Sequence, residues 1–213
     1  KFGSINLHAS LLPAYKGAAP IQRAIINGEQ HTGLSTFFLN DSIDGGELIN
    51  QIKISINNED TFENVWNNLN KISPEFVINT LELIIEKQTN IIDDLTIKES
   101  FAPKILKKEL KINWNEPNYL IHNKVRAFYP FPSMYTFLEK KRIKILKTTI
   151  SDYVDDSSKI GEIIIIENKL IVKCGVGFIE IIMLQPDSKK EMKSIDFING
   201  FAKLLNQQVN VLK

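Results

Sequence analysis

Short apolar runs and helically spaced apolar residues alternate over residues 1–89, which predicts a mixed α/β fold. Runs of strand length occupy residues 5–7, 33–39 and 48–56. A helix is predicted to begin at Pro20, where the missing N–H costs no hydrogen bond, and to end at Asn27-Gly28. Because a helix separates the first two strands, we expect a parallel sheet that is buried on both faces.

A second, longer helix is predicted between residues 62 and 85, because its apolar side chains recur at helical spacing. We expect Asp60 to cap this helix, with Glu63 completing a capping box, and Pro74 to interrupt it. Trp66 lies on the apolar stripe, so we predict that its indole is a packing residue.

The pattern changes in the second half of the chain. Residues 90–112 are polar with isolated apolar side chains and contain Ala102-Pro103, so this segment is predicted to be a linker. A helix over residues 118–128 follows, and a closing helix over residues 194–205 is predicted with Ser194 as its cap. Residues 113–213 are predicted to form a small antiparallel barrel. Its strands are expected at residues 134–138, 143–150, 161–166, 170–174 and 178–184.

Composition narrows the class of protein. The 213 residues are 43% hydrophobic and 24% charged, and no apolar stretch approaches the ~20 residues of a membrane span. A net charge of +1 gives no strong field for polyanions, so any nucleic-acid contact requires a local basic patch. The single cysteine, Cys174, excludes an internal disulfide and lies in an apolar run. We expect a cytoplasmic protein without membrane contact, with Cys174 in its core.

The candidate chemistry lies where two predicted strands end. Asn6, His8 and Ser10 alternate in an extended segment, so their side chains are expected on one side of it. Asp44 follows the next strand in a glycine-rich turn. Open parallel sheets bind ligands beyond the carboxyl ends of their strands. We therefore expect the amide of Asn6, the imidazole of His8 and the carboxylate of Asp44 to converge in one pocket.

Each of these residues also has a structural interpretation. Asn6 alone could hydrogen-bond the backbone at a strand end, His8 could be a satisfied core histidine, and Asp44 could be a turn residue only. Ser10 is predicted to shape its loop by local hydrogen bonding rather than to act as a nucleophile. The remaining histidines lack neighbouring ligands at metal-binding spacing, so no metal site is predicted.

The same residues lie in two segments that resemble the formyltetrahydrofolate-dependent formyltransferase family. They are NLHASLLPAYKGAAP at residues 6–20 and TGLSTFFLNDSIDGGEL at residues 32–48. The resemblance implies a Rossmann-like catalytic domain, 10-formyltetrahydrofolate as the co-substrate, and Asn6, His8 and Asp44 as the catalytic residues. It also implies a folate-binding set formed by Ser10, Leu11, Leu12, Pro13, Asp41 and Ile43.

Formyl transfer to an amine passes through a tetrahedral centre that carries an oxyanion. The side-chain N–H₂ of Asn6 can donate a hydrogen bond to that oxygen. The imidazole of His8 can accept the proton that the amine loses, or it can stabilise the oxyanion when it is itself protonated. Asp44 can orient the imidazole or relay the proton through a water. The sequence does not separate these roles.

Two segments of the second half resemble the members of that family that formylate methionyl-tRNA. They are VRAFYPFP at residues 125–132 and LQPDSKKEM at residues 184–192. This resemblance implies an OB-like C-terminal domain and initiator methionyl-tRNA as the partner, and we expect a monomer. The residues predicted to contact the tRNA are Lys16, Lys104, Lys107, Lys108, Lys111, Arg142, Lys144 and Lys147. For any single one of these basic residues, the alternative is that it only forms part of a solvated charged face.

Three functions stay open at the level of the sequence. The leading one is transfer of a formyl group from 10-formyltetrahydrofolate to the α-amine of methionyl-tRNA for translation initiation. The second is transfer to an amino sugar nucleotide or another small amine, and the third is an RNA-binding module whose catalytic half is inert. Because the chain starts without methionine and enters a strand at once, we expect a fragment. The family resemblance implies that the missing part is the N-terminal half of the catalytic domain.

Overall fold

The chain forms two compact units, Lys1–Ile105 and Leu106–Lys213. The computed structural model describes residues 3–88, 97–201 and 212. Each unit has its own sheet and its own set of buried apolar side chains. The two units are therefore described separately.

The predicted linker of residues 90–112 spans the boundary between the units. Residues 90–96 of this segment lie outside the described residues. Ala102 is fully buried in the first unit, and its N–H donates to the carbonyl of Lys16 (2.6 Å). Ile112 is buried in the second unit. The described ends of the segment thus belong to the packed units.

In its described residues, 3–88 and 97–105, the first unit combines one sheet with two helices. Its strands are β1 (Ile5–His8), β2 (His31–Phe38) and β3 (Leu48–Ser55), and they lie in the order β1-β2-β3. The helices are α1 (Pro20–Ile26) and α2 (Phe62–Ile85). The predicted positions of the three strands and of α1 are confirmed to within two residues at each end, and α1 begins at the predicted proline.

The predicted parallel sheet is wrong for the described strands, because both pairs are antiparallel. In the β1–β2 pair, Ile5 lies opposite Phe38 and His8 lies opposite Ser35. The β2–β3 pair is also antiparallel and has a register shift after Thr36. The apolar pattern marks a strand as buried but carries no information about the direction of its neighbour. A short helix between two strands is compatible with either direction.

Helix α2 differs from the prediction at its start and in its middle. Thr61, not Asp60, is the N-cap, and its side chain forms a capping box with Asn64 instead of Glu63. Pro74 lies inside a continuous helix and does not interrupt it. A proline removes one backbone donor, and the carbonyl of Asn70 that loses this partner accepts a hydrogen bond from the Ser73 hydroxyl (3.1 Å). That replacement explains why the helix continues.

The buried face of α2 is narrower than its apolar stripe. Val65, Leu69 and Phe76 are buried, whereas the side chain of Trp66 is 45% exposed. Trp66 has the packing role that the sequence predicts, although at a half-exposed position. Its ring stacks on Phe62 with a centroid distance of 6.0 Å. No described helix is long and apolar enough to cross a membrane.

The described part of the second unit is an antiparallel sheet with two α-helices and a short 3₁₀ turn. The strands lie in the order β4-β5-β8-β7-β6, and β9 pairs with β8. All five predicted strands are present, and β9 is a further short strand that the pattern did not predict. The elements are a 3₁₀ turn (Lys107–Leu110), α3 (Asn118–Ala127), β4 (Met134–Leu138), β5 (Lys141–Ser151), β6 (Ile163–Ile166), β7 (Lys169–Lys173), β8 (Phe178–Pro186), β9 (Met192–Lys193) and α4 (Ser194–Gly200).

The closing helix is only partly comparable with its prediction. Helix α4 begins at Ser194 as a helical residue, and Lys193 holds the N-cap position without a side-chain cap. Ser194 is therefore not the cap that the sequence predicts. Residues 202–205 of the predicted helix lie outside the described residues.

Strand β4 shows how its sequence divides between core and surface. Met134, Thr136 and Leu138 are buried on one face, while Tyr135 and Phe137 are partly exposed on the other. The buried hydroxyl of Thr136 accepts a hydrogen bond from the indole N–H of Trp114 (3.0 Å). Because successive side chains of a strand point to opposite faces, the two aromatic rings of β4 lie on the face away from the core.

Cys174 is fully buried in the core of the second unit, as predicted, and burial raises the pKa of its thiol from 9.0 to about 12. Between these values the unfolded chain loses the thiol proton first, so folding stability falls as the pH rises. We expect this residue to cost the folded state about 1.4 kcal/mol at about pH 10 relative to neutral pH. The measurement is urea unfolding at both pH values. Between neutral pH and about pH 10, a Cys174→Ala variant should lose about 1.4 kcal/mol less stability than the wild-type protein. An equal loss in the variant and the wild type would contradict the prediction.

Candidate active site

His8 and Asp44 come together at the end of β1. The Nδ1 atom of His8 lies 3.6 Å from Oδ2 of Asp44, and both side chains are largely buried. Strand β1 ends at His8, while Asp44 lies in the turn between β2 and β3. The predicted proximity of the ring and the acid is therefore confirmed.

A backbone hydrogen bond fixes the other side of the imidazole. The Nε2 atom of His8 lies 2.9 Å from the carbonyl oxygen of Tyr15. A carbonyl can only accept, so Nε2 carries the proton in this arrangement. In the neutral ring, Nδ1 then carries the lone pair and faces Asp44. A proton taken up at Nδ1 would lie beside the carboxylate, where the opposite charge stabilises it.

Gly17 holds the carboxylate of Asp44 in place. Its backbone N–H donates to Oδ2 of Asp44 over 2.8 Å. Gly17 has a φ of +118°, and a Cβ at this position would lie 2.8 Å from the carbonyl oxygen of Ala102. A larger residue here would be strained and would clash with the backbone of Ala102. The sequence did not predict the contact of Gly17 with Asp44, because the donor is a backbone N–H and does not depend on the type of residue.

The loop after β1 is held by a buried network around Ser35. The Ser35 hydroxyl donates to the Ser10 carbonyl (2.6 Å) and accepts from the backbone N–H of Leu12 (3.0 Å) and from the amide of Gln51 (2.9 Å). The Ser10 hydroxyl donates to the Ala14 carbonyl (2.6 Å). This is the local hydrogen bonding that the sequence predicts for Ser10.

We expect Ser35→Ala to destabilise the first unit by about 1–3 kcal/mol, because it leaves buried donors and acceptors without their partner. The measurement is urea unfolding at neutral pH. Ser55→Ala, at an exposed position on β3, is the matched control and should change stability by less than about 0.5 kcal/mol. Equal stability of the two variants would show that the network does not hold the loop.

The six residues predicted to bind folate differ in accessibility. Ser10 and Leu12 are buried, and Leu11 and Pro13 are partly exposed. Asp41 is exposed, and the side chain of Ile43 is 76% exposed. Leu11, Pro13, Asp41 and Ile43 can therefore be reached by a ligand, whereas Ser10 and Leu12 shape the loop from inside. The binding role of the set stays a prediction.

Asn6 lies two residues before His8 on β1, opposite Phe37 of β2. Strand geometry places the Asn6 and His8 side chains on one side of β1. The Asn6 side chain is exposed and forms no hydrogen bond within the described ranges. Its participation in the pocket stays a prediction.

Tyr15 connects the imidazole to a neighbouring cavity of about 640 Å³ in the first unit. Its hydroxyl donates to Oε1 of Glu29 (2.7 Å) and accepts from the amide of Asn27 (3.0 Å). Burial, with the hydrogen bond to Glu29, raises the pKa of Tyr15 to about 12, so the phenol stays protonated near neutral pH. Tyr15 thus presents its carbonyl to His8 while its ring is fixed at the cavity wall. The sequence did not indicate this role.

The predicted basic contacts have different surroundings. The ammonium group of Lys16 is paired with Glu99 over 2.7 Å, and its side chain is only 14% exposed. Arg142 and Lys144 are partly exposed on β5, opposite the aromatic residues of β4. The remaining members are exposed, and they are Lys104, Lys107, Lys108, Lys111 and Lys147. The role of these basic residues as tRNA contacts stays a prediction.

The absence of a metal site also stays a prediction. The described residues contain no cluster of His, Cys, Asp or Glu that could hold a metal ion.

Comparisons with known protein families place both units. A family model described as "Formyl transferase" matches residues 1–81, and one described as "Formyl transferase, C-terminal domain" matches residues 104–202. Methionyl-tRNA formyltransferase of Thermodesulfovibrio yellowstonii is 41% identical over 200 residues, which cover 94% of this chain. The chain spans 64% of the length of that relative.

Two solved structures share the fold at lower identity. HypX from Aquifex aeolicus, crystallised with tetrahydrofolic acid, has a TM-score of 0.68 at 14% identity and matches 95% of this chain and 35% of its own. WlaRD, a sugar 3N-formyl transferase crystallised with dTDP and 5-N-formyl-THF, has a TM-score of 0.66 at 24% identity and matches 87% of this chain and 66% of its own. At these identities the likeness concerns the fold alone.

Proposed function

The chain belongs to the formyl transferase family, and from this premise we propose that it transfers a formyl group from 10-formyltetrahydrofolate to the α-amino group of methionyl-tRNA. The observation that carries the proposal is the contact of His8 with Asp44 at the end of β1. The choice of acceptor is supported by the name of the relative that is 41% identical over 94% of this chain. The cytoplasm, where translation begins, stays the expected location.

The proposal assigns one task to each unit. The first unit is the catalytic part, of Rossmann-like type, and the second is an OB-like domain that binds tRNA. The matches of the two family models to residues 1–81 and 104–202 support this division. The five-strand path of β4 to β8 supports an OB-like sheet, whereas the Rossmann-like assignment rests on the family alone, because the described strands of the first unit are antiparallel.

The tautomer of His8 supports a role as general base at Nδ1. The amine of the acceptor attacks the formyl carbon, and the bond from that carbon to the folate nitrogen breaks. The amine loses a proton to Nδ1, and the nearby carboxylate of Asp44 stabilises the imidazolium that results. The imidazolium then returns this proton from Nδ1 to the folate nitrogen as it leaves, so the ring ends neutral. Asn6, on the same side of β1, would donate to the oxyanion of the tetrahedral centre.

The co-substrate assignment has separate support. HypX and WlaRD, which share the fold, were crystallised with tetrahydrofolic acid and 5-N-formyl-THF respectively. The exposed Asp41 and Ile43 lie in the same turn as Asp44 and can be reached by a ligand there. No metal is needed for the steps described, since the proton and the oxyanion each have a protein partner.

Transfer to an amino sugar nucleotide is the second candidate, because WlaRD is a sugar 3N-formyl transferase and shares the fold over 87% of this chain. A transfer assay with radiolabelled 10-formyltetrahydrofolate separates the candidates. The protein as its gene encodes it is incubated with initiator methionyl-tRNA or with a dTDP-linked amino sugar. Label in the tRNA fraction supports the proposal, label in the sugar supports the second candidate, and tRNA binding without transfer would indicate an inert RNA-binding module.

A further inference from the structure

The outward face of the β4–β5 hairpin carries aromatic and basic side chains in register. Tyr135 of β4 lies opposite Lys144 of β5, and Phe137 lies opposite Arg142. Residues that alternate on a strand share a face, so these four side chains form one surface of the second unit. We call this set, together with Phe131, the hairpin surface.

The rings and cations of the hairpin surface are in direct contact. The guanidinium of Arg142 lies 4.0 Å from the centroid of the Tyr135 ring, and the rings of Tyr135 and Phe137 meet edge to face at 5.7 Å. The Nε atom of Arg142 is buried and has no hydrogen-bond partner among the described residues. A buried N–H of a charged group without a partner is costly. The guanidinium therefore lies against the Tyr135 ring, with its Nε donor unsatisfied.

These side chains line an open cavity of about 500 Å³. Phe131 lies at its edge with 81% of its side chain exposed, the largest value among the exposed large apolar residues of the described chain. None of the lining residues is acidic, and Lys107 adds a further cation to Arg142 and Lys144. The cavity therefore fits a ligand that has a flat apolar face and negative charge.

We propose that the hairpin surface binds an unpaired nucleotide of RNA. The base stacks on the ring of Phe131, and the flanking phosphates lie against Lys107, Arg142 and Lys144. Aromatic side chains can stack only on bases that are not enclosed in a duplex, so the surface requires a single-stranded segment. The proposal rests on the proposed function only for the choice of RNA, and it adds a stacking site to the general contact of basic residues with tRNA phosphates.

The test measures the binding of a short RNA of about eight nucleotides that contains a single 2-aminopurine. Stacking quenches the emission of this base, so wild-type protein should lower its fluorescence. Phe131→Leu should weaken binding by about 5- to 100-fold and abolish the quenching, while Phe131→Trp should retain both. Tyr119→Leu removes another exposed aromatic residue, on α3 and away from the cavity, and should bind like wild type.

The salt dependence separates stacking from charge. Lys144→Gln should reduce the slope of log affinity against log salt concentration by about 0.7, the value for one phosphate of a single strand. Lys159→Gln removes an exposed cation outside the cavity and should leave the slope unchanged. Phe131→Leu should also leave it unchanged, because the lost contact is uncharged.

Two results would overturn the proposal. One is wild-type affinity and quenching in Phe131→Leu, and the other is tighter binding of the same RNA when it is annealed to its complement. Neither result depends on formyl transfer. If the oligonucleotide binds as expected while no acceptor is formylated, the proposed function fails and the stacking site stands. If methionyl-tRNA is formylated while Phe131→Leu binds the oligonucleotide normally, the stacking site fails and the proposed function stands.

Discussion

Replacing His8 with alanine is expected to lower the rate of formyl transfer by about 10²- to 10⁴-fold, the usual contribution of a positioned general base. The hydrogen bond from Nε2 to the Tyr15 carbonyl leaves Nδ1 as the basic atom, 3.6 Å from the Asp44 carboxylate. Without this ring the amine loses the basic nitrogen to which we assign its proton. The measurement is single-turnover formylation of methionyl-tRNA with folate in excess.

A second variant separates chemistry from folding, since His8 is buried. His8→Gln retains an N–H donor for the Tyr15 carbonyl but has no basic nitrogen, so it should fold like wild type and be as slow as His8→Ala. His31→Ala removes an exposed histidine from the start of β2 and should retain normal turnover. Turnover near the wild-type rate in His8→Gln would exclude the general-base role.

The sequence predicts the elements of this chain better than the way they pair. Proline at the first turn and Asn-Gly at the end mark α1 by local physics, and α1 occupies the predicted residues. Strand direction is different, because it depends on where the chain turns between β1 and β2 rather than on any single residue. The antiparallel pairs were therefore not predictable from the apolar runs.

Helix α2 illustrates a choice between neighbouring residues of similar propensity. Asp60 and Thr61 are both good caps, and the sequence alone does not decide between them. In the structure Asp60 instead accepts from the backbone N–H of Asn57 (2.8 Å), which leaves Thr61 to cap the helix. The predicted interruption at Pro74 is wrong for a related reason. The general rule on proline does not consider that a neighbouring hydroxyl, here that of Ser73, can donate to the carbonyl that loses its partner.

Within the candidate site, side-chain chemistry was predictable and backbone chemistry was not. The pairing of His8 with Asp44 follows from residue types that suit one reaction. The two groups that orient this pair are the backbone carbonyl of Tyr15 and the backbone N–H of Gly17. Every residue has a backbone carbonyl, and every residue except proline has a backbone N–H, so residue type does not reveal these contacts. Only the fold selects them. The same holds for the hairpin surface, where the register of β4 and β5 brings rings and cations together.

Asp44→Asn is expected to slow formyl transfer by about 10²- to 10³-fold. The amide has the shape of the carboxylate, and its oxygen can still accept from the N–H of Gly17, so the turn should keep its conformation. What is lost is the negative charge 3.6 Å from Nδ1, which would face the imidazolium as it forms. The effect should fall on kcat and leave KM for the tRNA within a few-fold, because the imidazolium forms only during reaction.

The comparison of three variants decides what Asp44 does. Asp44→Ala loses both the charge and the contact with Gly17, whereas Asp44→Asn loses the charge alone. Equal losses of activity in the two variants would mean that charge is the whole contribution. A normal rate in Asp44→Asn with a slow Asp44→Ala would mean that the residue only holds the turn, and the stabilised imidazolium would have to be abandoned. Glu47→Gln removes an exposed charge just after the turn and should leave the rate unchanged, which separates a local effect of Asp44 from the field of the whole surface.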